Sequence, residues 1–502
     1  MEDNVSLMSP VTEEEITNIV WSMDPDKAPG PDGFSIHFYR ICWEIIKFDL
    51  FRMIRGVFRK AKMGGGTKST FLALIPKETN PRSFDRYRPI SLCNSSYKIV
   101  AKLLANRIKP LLQKLISPAQ GGFVKGRQIL DNVIQIQEAL HSSHARKEQG
   151  MIIKLDMCNA FDRVNRSFLL KVLETFGFSL EFLNLIKACI ENVWIAPMVN
   201  GRPTDFFSAS RGLRQGCPLS PFLYILMADS LSRKLTQEQL RGTIPGIRIV
   251  QGAPPVNHAL FADDSILLGG ASLRMAKAFK TILQKYCSVT GALISERKSA
   301  VYGWNSDQQT IDRIASELGF KGFAEWDKIK YLGLPLTMGS NRNNLWEEVI
   351  SNFKKKIVAW GGVWLPSGGK LTLIRSVLSV LPTFQASLLL APRQIADQIS
   401  CLTRNFLWSG GKGNSNRFHL VNWELVKRPF NEGGLQIRDP LHANLALGCK
   451  ILWQLTSEPT HPISQILILK YLRNKSITTF NPASSPKGTL VWSLCCRGIE
   501  FF

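Results

Sequence analysis

Apolar residues Ile16, Ile19, Val20 and Met23 recur at helical spacing behind Thr12-x-x-Glu15, a capping-box pattern, and predict a helix that stops at Asp24-Pro25. Lys27-Ala-Pro-Gly-Pro-Asp-Gly-Phe34 follows, and its two prolines and two glycines predict a rigid, non-helical loop. A second helical stretch is expected from about His37 to Lys60, ending at a flexible Gly64-Gly65-Gly66. The apolar runs Phe71 to Ile75 and Met151 to Leu155 suit buried strands, and the second leads into Asp156. Ser96 to Leu115 and Asp131 to Ala145 read as helices. Ile195 to Val199, Asn200-Gly201 and Thr204 to Ser208 have the signature of a hairpin closed by a type I′ turn. His258 to Leu268 reads as two short strands separated by Ala262-Asp263-Asp264. Past Gly339 the pattern turns helical, with Leu345, Trp346, Val349, Ile350, Phe353 and Ile357 on one apolar stripe. The expected plan is α+β to about residue 338 and mainly helical after it, with no internal repeat or low-complexity tract.

Composition narrows the partner. A chain of 502 residues suggests about 3 domains. With 45% hydrophobic and 20% charged residues, disorder, collagen and mini-protein scaffolds are excluded. The net charge of +24 points to a polyanion, either nucleic acid or an acidic membrane surface. The best apolar run, Ser376 to Pro392, is cut by Pro382 and Gln385, so no membrane span is expected. Met1-Glu2-Asp3-Asn4 begins no signal peptide, which predicts an intracellular protein and favours nucleic acid. The ten cysteines form no CxxC and no finger-like spacing with His pairs, so reduced thiols and no zinc are expected.

Adjacent Asp263 and Asp264 between apolar stretches repel unless something neutralises them. A divalent ion such as Mg²⁺ would do so, but a surface hairpin turn also favours Asp, and the pair alone leaves both readings open. Asp156 at the end of an apolar strand adds a third carboxylate that needs a partner. Phe161-Asp162 follows it, and the Gly-containing turn Arg214-Gln215-Gly216-Cys-Pro-Leu-Ser-Pro221 lies between the two acidic sites. One Asp, a Gln-Gly-Pro turn and then Asp-Asp is the constellation of a two-metal nucleotidyl transferase, whose ions sit ~3.5–4 Å apart.

In this order the motifs resemble the reverse transcriptase family, and within it the plant LINE-type (non-LTR) retrotransposon polymerases. Arg88-Pro-Ile-Ser-Leu92 and Tyr97 to Arg107 resemble the fingers motifs, followed by Gln120-Gly-Gly-Phe-Val-Lys-Gly-Arg127. Leu155 to Val164, Arg211 to Pro221, Phe261-Ala-Asp-Asp264, Lys298-Ser299 and Tyr331-Leu-Gly-Leu-Pro335 resemble motifs A to E. Lys27–Phe34 and Glu432–Asp439 also look like plant LINE sequence, so the resemblance runs from about residue 5 to 480.

The resemblance implies a right-hand polymerase: an N-terminal extension over 1–66, fingers and palm over 67–338 with an antiparallel palm sheet, a helical thumb over 339–395 and a mainly helical connector over 396–502. It implies RNA-directed DNA synthesis from an RNA template, a DNA primer and dNTPs, with two Mg²⁺ ions, or Mn²⁺ as the alternative, at Asp156, Asp263 and Asp264. Phe161 would be the steric gate against a ribose 2′-OH, and Gln215 and Gly216 would line the nucleotide pocket. Arg88, with Lys77 as second choice, would meet the triphosphate, because a guanidinium fork matches phosphate oxygens. Lys298 would be a general acid toward pyrophosphate. Ser295 stands where relatives usually carry Asn, and Cys217 where they often carry Asp. Kinship further implies a nuclear location and priming at a nicked chromosomal target. Relatives carry an upstream endonuclease and often a downstream Cys/His-rich segment or ribonuclease H, so a truncated copy is expected.

Lys354, Lys355 and Lys356 would track template–primer phosphates, with a solvated helix face as the plain alternative. Trp360, Trp364, Trp408, Trp423 and Trp453 suit core packing better than base stacking. His141 and His144 read as solvent-facing, and Gly361 to Lys370 lacks the spacing of a phosphate loop. The rival readings are an RNA-dependent RNA polymerase, a maturase or telomerase relative, and a catalytically silent relic that only binds nucleic acid.

Overall fold

The structure is a computed structural model that describes residues 2–325, 329–337, 345–361, 365–409, 421–473, 475–482 and 488–499. The chain forms two compact units. One comprises Met1–Asn132, Gln149–Gly246 and Asn257–Glu325; the other comprises Val133–Glu148, Ile247–Val256 and Trp326–Phe502.

The first unit holds two five-stranded sheets. In one, β1 (Thr70–Pro76) pairs antiparallel with β2 (Tyr87–Cys93) and parallel with β4 (Val193–Val199). The short strands β5 (Arg202–Pro203) and β6 (Phe207–Ala209) both pair with β4. The other sheet centres on β3 (Gly150–Leu155). Antiparallel β8 (Asp264–Gly270) and β9 (Ala300–Trp304) flank it. Outside them lie β7 (His258–Phe261) and β10 (Lys321–Phe323). A central strand needs apolar side chains on both faces, and every residue of β3 except Lys154 is buried. Its Ile153 and Leu155 share one core with Leu223 and Leu226 of the Ser220–Leu240 helix and with Phe279 and Leu283 of the Leu273–Thr290 helix.

The second unit contains the hairpin of β11 (Ile329–Tyr331) and β12 (Leu334–Leu336) and is otherwise mainly helical. The predicted stripe is buried there: Val349, Ile350, Phe353 and Ile357 of the Glu347–Gly361 helix join Leu345 and Trp346 in the interior. Of the aromatic set, Trp423 is buried, Trp360 packs on Phe406, Trp408 is half-buried and Trp453 is exposed, while Trp364 lies outside the described residues.

Several local expectations change. Thr12 caps the Glu13–Ser22 helix through the Glu15 N–H, but the Glu15 carboxylate binds Arg107 instead of reaching back to the cap. The predicted 37–60 helix is two helices, Ile36–Ile41 and Trp43–Lys60, separated by Cys42 with ψ near 16°. The glycines after it are not a loose end, for Gly65–Lys68 closes a helical turn. The 96–115 helix tightens to a 3₁₀ turn at Lys109–Leu111, because Pro110 cannot donate its backbone nitrogen. β1 is only partly buried, with Ile75 exposed. The Asn200-Gly201 turn has both φ values positive as type I′ demands, but the returning strand is split into β5 and β6. His144 is exposed, whereas His141 is half-buried beside Lys470 Nζ.

Candidate active site

Strand register brings the two acidic motifs together. The last pair between β3 and β8 is Leu155 with Ser265, and one further residue sets Asp156 opposite Asp264. Strands β7 and β8 close on the pair Phe261 and Asp264, so Ala262 and Asp263 form a two-residue turn and Asp264 is already strand, not turn. Ala262 takes φ +55°, a left-handed conformation that costs a residue with Cβ about 1 kcal/mol. Gln120, fully buried, holds it there: its Oε1 accepts the Ala262 N–H at 2.8 Å and its Nε2 donates to the Ala262 carbonyl at 3.4 Å. Gly122 lets the two segments approach, since a Cβ there would stand 2.7 Å from the Ala262 nitrogen.

Asp156 is fixed by its own backbone. Its N–H donates to Ser299 Oγ at 3.1 Å, and its carbonyl accepts the Ser295 N–H at 2.8 Å. The loop that carries these residues also carries Lys298, whose Nζ lies 3.6 Å from Asp156 Oδ1. Burial raises the Asp263 carboxyl above its ordinary value and the Asp156 charge adds to this, while Arg88 pulls it back. Asp264 is raised likewise by burial and then by Asp263, with Lys154 opposing. Arg88, exposed on β2 opposite Ile75, is therefore within electrostatic reach of Asp263.

The turn before the Ser220–Leu240 helix is clipped to the segment after Asp156. Leu213 N–H donates to the Phe161 carbonyl and Gly212 N–H to that of Val164, both at 2.8 Å. Gln215 Nε2 donates to both Asp162 oxygens at 3.1 and 3.2 Å, and its carbonyl accepts the Ser91 N–H at 2.7 Å. Burial raises the Asp162 carboxyl, opposed by Gln215 and the Lys77 charge. Gly216 has φ +107°, and a Cβ there would meet the Ser91 carbonyl at 2.9 Å. Arg214 anchors the turn from inside: it lies over the Tyr97 ring and donates to the carbonyls of Lys68 and Cys189 and to Thr70 Oγ1. The Phe161 ring is half-buried and stacks on Tyr224.

Asp156, Asp263, Asp264, Lys298, Phe161, Gln215 and Gly216 thus belong to one unit, together with Arg88 and Lys77. Lys354, Lys355 and Lys356 lie in the other, exposed on the Glu347–Gly361 helix. Lys354 and Lys355 line a groove of about 570 Å³ with Gln394 and Gln398. Among the described residues no three His, Cys, Asp or Glu side chains converge into a finished metal cage. Asp156, Asp263 and Asp264 are nonetheless hard oxygen donors of the kind a divalent cation prefers, gathered at one sheet end, with the carboxyls of Asp263 and Asp264 raised by desolvation and by neighbouring negative charge.

The family model described as "Reverse transcriptase (RNA-dependent DNA polymerase)" matches residues 75–336, just over half of the chain. The chain belongs to the reverse transcriptase family. Its mixed α+β architecture is that of the right-hand polymerase class expected from the sequence. Over 451 residues, 87% of its length, the chain is 28% identical to a Xenopus laevis protein named "Transposon TX1 uncharacterized 149 kDa protein", covering 33% of it. It is 25% identical over 66% of its length to the "Retrovirus-related Pol polyprotein from type-2 retrotransposable element R2DM" of Drosophila melanogaster, covering 30% of that protein. A 68-residue segment, 14% of the chain, is 48% identical to the "Uncharacterized mitochondrial protein AtMg01250" of Arabidopsis thaliana, covering 56% of it. The chain spans about a third of the length of the first two relatives. Among the described residues no helix is long and apolar enough to cross a membrane.

Three site-building residues escape sequence reasoning. Gln120 sits in a motif visible in the chain, but its bond to Ala262 spans 142 positions. Asp162 as the partner of Gln215 and Tyr224 as the partner of Phe161 are equally non-local. The one available signal was a polar Gln immediately before two glycines.

Proposed function

We propose that this chain is the RNA-directed DNA polymerase of a plant LINE-type (non-LTR) retrotransposon, joining dNTPs to a primer 3′-OH on an RNA template. The observation that supports it best is the register that sets Asp156 opposite Asp264, with Asp263 in the adjoining turn. The assignment of 1–66 as an extension, 67–338 as fingers and palm, 339–395 as thumb and 396–502 as connector belongs to this reading, as does a nuclear place of work.

Asp156, Asp263 and Asp264 would hold the two Mg²⁺ ions, or Mn²⁺, which when bound supply Lewis-acid activation of the 3′-hydroxyl and charge neutralisation on the leaving pyrophosphate. Arg88 binds the triphosphate through its guanidinium fork, with Lys77 behind it. Gln215 and Gly216 floor the nucleotide pocket, and the Asp162 carboxylate fixes the Gln215 amide so that its face is preset. Phe161 excludes the 2′-hydroxyl. Lys298, whose Nζ lies 3.6 Å from Asp156 Oδ1, would give a proton to the departing pyrophosphate. Lys354, Lys355 and Lys356 track template–primer phosphates.

The test is primer extension on an RNA template with Mg²⁺ and dNTPs, beside an Asp263→Ala, Asp264→Ala double variant. Extension by the native chain and none by the variant is the expected result. Extension that survives in the variant would sink the site assignment. Tight, salt-sensitive template binding without extension by either protein would point instead to a relic that only binds nucleic acid.

A further inference from the structure

The proposed sugar gate has a backing that no motif identifies. The Phe161 ring lies against the Tyr224 ring, with centroids 4.6 Å apart and planes 23° from parallel. Tyr224 is 4% exposed and sits in the first turns of the Ser220–Leu240 helix, so it is held from behind by the core. The main chain of the gate is tied as well, because the Phe161 carbonyl accepts the Leu213 N–H. A Cβ on Gly212 would stand 2.5 Å from the Asp162 carbonyl oxygen, which shows how closely the two segments meet. Rotation of the half-buried Phe161 side chain is the motion that would move the gate, and the Tyr224 ring stands against it. Tyr224 is also near the acids: after burial and Tyr286, the charges of Asp263 and Asp264 keep its phenol neutral.

We propose that Tyr224 is the positioning residue for sugar selection, holding the Phe161 ring where a ribose 2′-hydroxyl would meet it. This rests on the reading of the chain as a DNA polymerase. A stacked aromatic partner orients a ring more strongly than an aliphatic one that fills the same space. An aliphatic residue at 224 therefore lets the gate swing back and admits the ribonucleotide, while the deoxyribonucleotide, which never touches that edge, is hardly affected.

The experiment is single-nucleotide incorporation by the full chain on an RNA template and DNA primer, with kcat and KM measured for a dNTP and the matching rNTP. Phe161→Ala is the reference for an absent gate. Tyr224→Met, which keeps an apolar side chain at the site without a ring, lowers the dNTP-to-rNTP ratio of kcat/KM by about 3- to 10-fold. The change comes chiefly from a lower KM for the rNTP. Tyr224→Phe keeps the native ratio, and Tyr224→Met adds nothing in a Phe161→Ala background, as expected of two residues that act as one device. Tyr224→Leu is the second variant, and each protein is matched to the native melting curve before its kinetics are read. An unchanged ratio in the folded Met or Leu variant, or an equal loss for dNTP and rNTP, overturns the inference and leaves the polymerase reading standing. A native chain that incorporates neither nucleotide overturns the polymerase reading, and the inference with it.

Discussion

Gln120 satisfies the N–H of Ala262 and the N–H of Gly122 with one buried amide oxygen, and the carbonyl of Ala262 with its nitrogen. Removing it strands polar groups in the interior, and a buried group without a partner costs ~2 kcal/mol. Gln120→Met is thus expected to destabilise the protein by that amount and to cut primer extension ~10-fold or more, since the turn that presents Asp263 loses its brace. A melting curve and an extension assay read both; native extension rates would refute the role. Asp263 and Asp264 themselves oppose folding. A carboxyl whose pKa is raised on folding lowers stability as pH rises through its unfolded value toward its folded one. At neutral pH without divalent ions, Asp263→Asn should therefore raise Tm by ~2–4 °C, while in the Mg²⁺-containing assay it abolishes extension. A lower Tm would show that Lys298 and Arg88 already neutralise the cluster.

At the scale of elements, strand β7 leads into the Asp263 turn and carries a buried histidine. His258 contacts Ser232 Oγ through Nε2 at 2.6 Å and Asn257 Oδ1 through Nδ1. Burial lowers its pKa to about 4 from 6.5. Above pH 6.5 both folded and unfolded states are neutral here, and stability is full. As pH falls from 6.5 toward 4 the unfolded chain takes up the proton first, so stability drops by up to about 3 kcal/mol and then levels off. Denaturant melts at pH 7 and pH 4.5 should show a smaller loss in His258→Gln than in the native chain, and equal losses would refute the assignment. Elements were legible where periodicity was long or turn chemistry strict, as for the Glu13–Ser22 helix and the Asn200-Gly201 turn. They were misread where one residue breaks a continuous pattern, as at Cys42.

At the scale of the molecule, the second unit is tied together by a buried acid. Glu138, fully buried, accepts from Lys470 Nζ at 2.6 Å, Tyr471 OH at 2.7 Å and Thr489 Oγ1. It joins residues 332 to 351 positions apart within that unit. Lys470→Met leaves a buried carboxylate without its counter-ion and should cost ~3–5 kcal/mol. A Glu138→Gln, Lys470→Met double variant should recover much of this, and a double-mutant cycle in denaturant would expose the absence of coupling. On the proposed function, the net charge of +24 should make template binding salt-dependent. Replacing Lys354, Lys355 and Lys356 with Gln should flatten the log–log salt dependence of single-stranded RNA binding by up to ~2 in slope. An unchanged slope would assign that helix face to solvent.

The sequence by itself determined the class of the protein. Motifs spaced along the chain carried the family, the charge pointed toward a polyanionic partner, and Asp156, Asp263 and Asp264 stood out because acids beside apolar strands need a partner. Each signal is local, a residue type in a periodic or turn context, and such contexts are written in the chain. Only the tertiary structure decided how the site is built. The β3–β8 register, the Gln120 bond to Ala262, the Asp162 bond to Gln215 and the Phe161–Tyr224 stack all join residues 50 or more positions apart. Which distant side chains meet follows from how the whole core packs, and no periodicity records it.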